Sequence, residues 1–199
     1  MWASFVLLGI EKVRIVKGYT AMSPLDLYYM PYTHGLDAAL LWSLAGALFY
    51  RLVRRRDGWA GAWLVGAAIF SHWLLDLLVH TPDLPLLGNR FKVGLGLWNH
   101  PVAASLLEAA VLFGGLFLYL KVTRPVTRGG RIAMPIFVVA MAGLQAMGSL
   151  GPPPASDRAE AMMALGCYCA FAFIAGWLEK MRTPVGVHDE ALAAVPPRR

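Results

Sequence analysis

The chain has 199 residues, of which 58% are apolar and 15% are charged, and its formal net charge is +6. Soluble domains are about 45–50% apolar and about 25% charged, so the composition excludes a disordered chain and a soluble enzyme. The mean hydropathy of +0.55 indicates a polytopic membrane protein in one compact domain. In such a protein basic residues set the orientation in the membrane, so the charge does not predict a nucleic-acid partner.

Five segments are long and apolar enough to span a bilayer, which takes about 20 mostly apolar residues per helix. The apolar start Met1–Ile10 is shorter, and it is either a half-helix or a sixth span that continues through Glu11–Val16. We therefore predict an all-α transmembrane bundle over residues 1–182 and a mobile tail over residues 183–199. The predicted spans are Leu36–Val53, Trp59–His80, Pro101–Val122, Ile132–Leu150 and Ala159–Leu178.

Lysine and arginine are concentrated in alternate connections, which predicts the orientation of the chain. The positive-inside rule assigns the Arg-rich loops and the C-terminus to the cytoplasm of a bacterial-type inner membrane. Fewer cations lie on the opposite side, at Lys12, Arg14, Lys17, Arg90, Lys92 and Arg158. The predicted cytoplasmic cations are Arg51, Arg54, Arg55, Arg56, Lys121, Arg124, Arg128, Arg131, Lys180, Arg182, Arg198 and Arg199.

Ionisable side chains inside spans are costly and usually functional. His72, Asp76 and His80 are spaced i, i+4 and i+8, so they form one gently twisting stripe on a helix. Imidazole and carboxylate one turn apart are a common way to chelate zinc or a similar metal. His72 and His80 are about 12 Å apart along the axis, too far for one ion. Either Asp76 and one histidine form the site, or Asp76 bridges two ions.

The polar residues of three neighbouring spans fall into layers when they are counted inward from the external rim. This layering predicts one or two divalent ions, zinc or manganese, just below the outer surface, with Glu108 or Asp37 as the catalytic base or as a carboxylate that orients a ligand. The first-choice ligands are His34, Asp76 and His80, and His72 is the next. From the rim inward the layers are His34, His80 and His100; Asp37 and Asp76; and His72 and Glu108.

Three stretches resemble the YdjM-like family of membrane-bound metal-dependent hydrolases. The resemblance covers residues 9–122, and its upstream part includes Gly9-Ile10-Glu11 and Pro24-Leu25-Asp26. The stretches are Pro31-Tyr32-Thr33-His34-Gly35, Ser71-His72-Trp73-Leu74-Leu75-Asp76 with His80-Thr81-Pro82-Asp83, and Gly96-Leu97-Trp98-Asn99.

The resemblance implies a multi-span helical fold and metal-dependent hydrolase activity. It also implies that His34, His72, Asp76 and His80 hold the metal. This sequence departs from the family pattern at Gly35, where a serine is frequent, and Asp37 and His100 are additional. The positions that match more loosely, as polar support, are Glu11, Asp83, Asn99 and Glu108. We count His100 with this supporting group as well.

Three functions compete on these observations. The first is hydrolysis of a lipid or lipid-linked ester or phosphoester, because the metal site is predicted just under the membrane surface. The second is proton- or cation-coupled transport, although the inner halves of the spans offer few polar groups for a path. The third is a non-catalytic membrane subunit, since the small residues of Gly61–Ala68 and Ala133–Gly148 permit close helix packing.

Overall fold

The computed structural model describes residues 1–186. The described chain contains six α-helices and four short strands, and it is all-α in class because the strands form only two small hairpins. The helices are α1 (Trp2–Leu7), α2 (Leu36–Val53), α3 (Gly58–Val79), α4 (Pro101–Val122), α5 (Ala133–Leu150) and α6 (Asp157–Glu179). The strands are β1 (Lys12–Ile15), β2 (Leu25–Tyr29), β3 (Thr123–Pro125) and β4 (Arg182–Pro184).

Helices α2 to α6 are each long and apolar enough to cross a membrane. Their bounds agree with the five predicted spans to within two residues. In the most apolar stretch of each of these helices, no more than 28% of the residues are buried inside the chain. Such large exposed apolar surfaces need an apolar solvent, so the chain is a multi-pass membrane protein.

The described chain divides into two compact units. The first unit comprises residues 1–104 and 153–165, and the second comprises residues 105–152 and the described residues from 166 onward. The single domain predicted over residues 1–182 stays a prediction.

The N-terminal segment forms a short helix and a hairpin within the first unit. Helix α1 ends at Leu7, and β1 then pairs antiparallel with β2, with Arg14 opposite Asp26. The alternative that a sixth span continues through Glu11–Val16 is therefore wrong. The segment Lys12–Ile15 alternates polar and apolar residues, the period of a half-buried strand, and only Val13 of the four is fully buried.

Helices α2 and α3 pack closely because small residues line their contact. A side-chain carbon at Gly66 of α3 would lie 3.2 Å from the Ser43 carbonyl oxygen and 3.3 Å from the Ala47 methyl carbon of α2. Contact at this distance is typical of membrane helix pairs, in which small residues let the backbones approach each other. The pairing fixes the end of α3 beside the start of α2.

The connection from α3 to α4 folds back over the start of α2 and the end of α3. Leu84 and Val93 form an antiparallel bridge, and the Pro85 carbonyl accepts a hydrogen bond of 3.0 Å from the Leu36 amide at the start of α2. Beneath this loop Leu84 packs with Ala39 and Trp73 in a small apolar core. The loop therefore packs against both α2 and α3.

In the second unit, Arg182 ties the strand pair β3–β4 to the preceding turn. Its guanidinium donates hydrogen bonds to the Thr123 hydroxyl and carbonyl at 2.8 and 3.0 Å and to the Gly130 carbonyl at 2.7 Å. Thr183 and Pro184, the first residues of the predicted tail, belong to β4. The rest of that tail from residue 187, and with it the predicted mobility, lies outside the described residues.

Candidate metal centre

His34 is held in the turn that precedes α2. Its amide donates to the Met30 carbonyl at 3.3 Å, and its own carbonyl accepts a hydrogen bond of 3.0 Å from the indole of Trp73 on α3. The side chain is buried. The turn and the neighbouring span together fix the backbone from which the imidazole projects.

The His34 ring is also held by a hydroxyl and a buried carboxylate. Nδ1 of His34 lies 2.9 Å from Oγ1 of Thr33, and this hydroxyl contacts Oε2 of Glu11 at 2.5 Å. The other oxygen, Oε1, accepts the amide protons of Tyr32 and Thr33 at 2.8 and 2.9 Å. Glu11 is 1% exposed, and burial raises the pKa of its carboxyl group. Nδ1 thus has a hydrogen-bond partner, and Nε2 is the nitrogen that remains for binding a metal ion.

Helix α3 supplies the other two members of the cluster from successive turns. Nε2 of His72 lies 3.2 Å from Oδ2 of Asp76, and Nε2 of His34 lies 3.9 Å from the same oxygen. The His34 and His72 ring centroids are 5.8 Å apart. One ligand atom from each of the three residues lies within 4.8 Å of the others, so the three can hold one metal ion.

The burial of the three side chains is unequal. The side chains of His34 and Asp76 are 8% and 12% exposed, whereas that of His72 is 60% exposed. Oδ2 of Asp76 is buried and receives no hydrogen bond from the described residues. A buried carboxylate oxygen without a donor is costly, and a cation between it and the two imidazoles would supply the missing partner.

The environment keeps His34 in the form that binds metals. Its burial, followed by the nearby imidazoles of His80 and His72, lowers the pKa of His34 well below its usual value. A neutral imidazole carries a lone pair on one nitrogen, and metals bind that lone pair. A neutral His34 could therefore bind a metal ion without first losing a proton.

His80, a first-choice ligand in the sequence, lies beside this cluster and outside it. Its Nδ1 is 3.1 Å from Oδ1 of Asp83, and its ring lies 6.1 Å from that of His34 and 4.6 Å from that of Trp98, between centroids. Helix α3 ends at Val79, and His80 itself has an extended backbone. The helical stripe His72–Asp76–His80 therefore ends one residue early, and a metal-binding role for His80 stays a prediction.

The carboxylate of Asp37 fastens the loop onto α2. Its Oδ1 accepts the Ala38 amide and its Oδ2 accepts the Gly88 amide, both at 2.9 Å. Both oxygens thus serve the backbone, and neither belongs to the cluster of His34, His72 and Asp76. The catalytic role predicted for Asp37 gains no support from these contacts.

The remaining predicted residues lie outside the cluster. Asn99 and His100 are exposed at the turn that leads into α4. Glu108 belongs to the second unit, where one of its oxygens accepts a hydrogen bond of 3.2 Å from Gln145. Its role as a base stays a prediction. Glu11 and Asp83 are both predicted as polar support. Glu11 contacts His34 through the Thr33 hydroxyl, and Asp83 contacts His80 directly.

Two side chains of this site, Thr33 and Trp73, were not among the predicted residues. Thr33 links Glu11 to His34, and Trp73 holds the His34 carbonyl. A hydroxyl residue directly before a candidate ligand was a usable signal for Thr33. Trp73 follows His72 in the apolar run, and nothing in its spacing distinguishes a hydrogen-bond donor from a lipid-facing tryptophan.

No family model, curated protein or solved structure matches the chain. The resemblance to YdjM-like proteins therefore stays a prediction based on the motifs.

Proposed function

We propose that the chain is a membrane-embedded, metal-dependent hydrolase whose divalent ion is bound by His34, His72 and Asp76. The observation that carries the proposal is the convergence of three ligand atoms within 4.8 Å around a buried Asp76 oxygen that lacks a hydrogen-bond donor. Two imidazoles and one carboxylate suit zinc, and the carboxylate also suits manganese. Three protein ligands are typical of catalytic zinc sites, which keep another position open for water or substrate.

A divalent ion in such a site activates a water molecule and polarises the carbonyl or phosphoryl oxygen of an ester. The residues of the chain would do the rest. The buried His34 and Asp76 would anchor the ion from one side, and the exposed imidazole of His72 would mark the side from which a substrate arrives. The hydrolase class itself is supported by the resemblance of residues 9–122 to YdjM-like proteins.

A lipid or lipid-linked ester or phosphoester is the substrate class that we favour. His72 is exposed on α3 together with Ile69 and Leu75, one turn to either side of it. An apolar helix face beside the reactive group suits a substrate whose acyl or isoprenoid chains stay in the bilayer. With the Arg-rich loops in the cytoplasm of a bacterial-type inner membrane, the site would lie near the extracytoplasmic surface.

The test is a metal and activity measurement on the full chain purified in detergent. After treatment with a chelator, the protein is titrated with zinc and with manganese, and hydrolysis of ester and phosphoester lipids in vesicles is followed. We expect one ion per chain and hydrolysis that require Asp76, so that Asp76→Ala loses both. Absence of stoichiometric metal would reject the proposal. Cation flux into proteoliposomes that depends on Asp76, without hydrolysis, would favour the transporter instead.

A further inference from the structure

We infer that Glu11, acting through the Thr33 hydroxyl, fixes the tautomer of His34 so that its Nε2 lone pair faces Asp76 and His72. Glu11 is a positioning residue in this inference, since it contacts neither the ion nor a substrate. The inference rests on the proposed function for its purpose, because the exposed lone pair is the one that a metal would bind.

The direction of each hydrogen bond follows from the groups involved. Both oxygens of Glu11 face donors: the amides of Tyr32 and Thr33 on Oε1, and the Thr33 hydroxyl on Oε2. Amides that donate to a carboxylate favour its ionised form, and an ionised carboxylate can only accept. The 2.5 Å distance from Oγ1 of Thr33 to Oε2 is typical of a charge-assisted O–H···O⁻ bond. The single hydroxyl proton of Thr33 is therefore donated to Glu11.

That direction determines the proton on His34. Because its own proton points to Glu11, the Thr33 oxygen can only accept a hydrogen bond from Nδ1 of His34, 2.9 Å away. Nδ1 then carries the proton of the neutral imidazole, and Nε2 carries the lone pair. Nε2 is also the nitrogen that lies 3.9 Å from Oδ2 of Asp76.

The arrangement is costly to build, which argues for a purpose. Glu11 lies between α1 and β1 and is nearly inaccessible to solvent, and burying a carboxylate requires full hydrogen bonding. A second carboxylate and imidazole in the same unit, Asp83 and His80, are arranged in a similar way. Asp83 accepts from the Tyr19 hydroxyl and the Leu27 amide on Oδ2, and its Oδ1 faces Nδ1 of His80. Carboxylates that orient imidazoles in this way are the usual outer partners of metal ligands.

The decisive variant is Glu11→Gln, which keeps the shape of the side chain and reverses the relay. The glutamine oxygen still accepts the amides of Tyr32 and Thr33, but its amide nitrogen now donates to the Thr33 oxygen. The Thr33 hydroxyl must then donate to Nδ1 of His34, and the imidazole proton moves to Nε2, where it faces Asp76. The variant is thus expected to turn His34 from a ligand into a hydrogen-bond donor.

The experiment reads the tautomer in the metal-free protein. The full chain is labelled with 15N-histidine in lipid nanodiscs, and the ring nitrogens of His34 are assigned by comparison with His34→Gln. We expect a protonated Nδ1 in the wild type and a protonated Nε2 in Glu11→Gln. Zinc affinity is measured on the same samples, and it should fall about 10–100-fold in the variant, the range for loss of an outer partner of a metal ligand.

A second pair of variants keeps the test decisive if Glu11→Gln does not fold. Thr33→Val removes the hydroxyl with little change in shape and should release the preference for Nδ1, whereas Thr33→Ser should restore the wild-type tautomer and affinity. A protonated Nε2 in the wild type, or a tautomer that does not respond to either Glu11→Gln or Thr33→Val, would overturn the inference. The expected tautomers in a protein that binds no metal would uphold the positioning role and reject the proposed function, so the two failures are distinguishable.

Discussion

The two compact units differ in where their ionisable side chains lie. In the first unit several are buried and connected by hydrogen bonds, whereas the described part of the second unit has no fully buried ionisable side chain. Its helix α5 buries one residue, Val138. The buried ionisable residues of the first unit are Glu11, Asp26, His34, Asp76, His80 and Asp83.

The difference follows from what the connections of each unit supply. In the first unit the hairpin and the turn that follows it bring backbone amides and a hydroxyl to the buried carboxylates, as Tyr32 and Thr33 do for Glu11 and Leu27 does for Asp83. Buried charge persists only where such partners exist. Asp76 differs, because its Oδ2 faces the imidazoles of His72 and His34 and receives no hydrogen bond from the described part of the chain, and the proposed ion would lie there. The buried ionisable side chains are thus concentrated in the unit whose connections supply hydrogen-bond donors.

The largest expected effect comes from Asp76→Ala, which removes the carboxylate shared by both imidazoles. We expect zinc affinity to fall more than 100-fold, beyond the about 10–100-fold range of an outer partner. The matched control is Glu179→Ala, which removes an exposed carboxylate at the end of α6 in the second unit and should leave the affinity unchanged. Isothermal titration of the two purified variants provides the measurement. A similar loss in Glu179→Ala would contradict the contrast between the units.

The next effect distinguishes His72, which lies on α3, from His80, which follows the end of that helix. His72→Ala removes a ligand and should lower zinc affinity more than 100-fold. His80→Ala removes a ring that lies outside the cluster, so the loss should stay within the about 10-fold end of the outer-partner range. The affinities are compared by competition with a zinc-binding dye. The reverse order would support the ligand set that the sequence favoured first.

A third variant, Arg182→Ala, tests whether the second unit contributes to the stability of the protein and not to zinc binding. It removes three hydrogen bonds from the β3–β4 pair and its turn, and it should destabilise the protein by about 1–3 kcal/mol, since each carbonyl or hydroxyl can recruit water. Thermal unfolding in detergent measures this loss. Zinc affinity at a temperature where the variant is folded should match the wild type, and a drop there would show coupling to the site.

The smallest effect is expected from Gln145→Leu in the second unit. It removes the donor to Glu108 at an exposed position, and hydrogen bonds between membrane helices contribute about 0.6 kcal/mol on average. The melting temperature should change by no more than a few degrees. A large destabilisation would mean that this pair has the structural weight that we assign to the polar network of the first unit.

Hydropathy was sufficient to predict the five spans, because a bilayer demands length and apolarity and little else. The hairpin was missed although Lys12–Ile15 alternates, since four residues beside an apolar start also fit a continued helix. Of the four predicted ligands, His34, His72 and Asp76 converge in the structure and His80 lies beside them; which of them bind metal stays a prediction. The position of His80 depends on where α3 ends and on its contact with Asp83, and helical spacing alone reports neither.

The most direct test of the central claim is X-ray absorption at the zinc edge on stoichiometrically loaded protein. The account predicts one zinc per chain with two imidazole ligands and one carboxylate, a loss of one imidazole in His72→Ala, and an unchanged ligand shell in His80→Ala. A wild-type protein that retains no zinc, or an imidazole lost in His80→Ala but kept in His72→Ala, would contradict it.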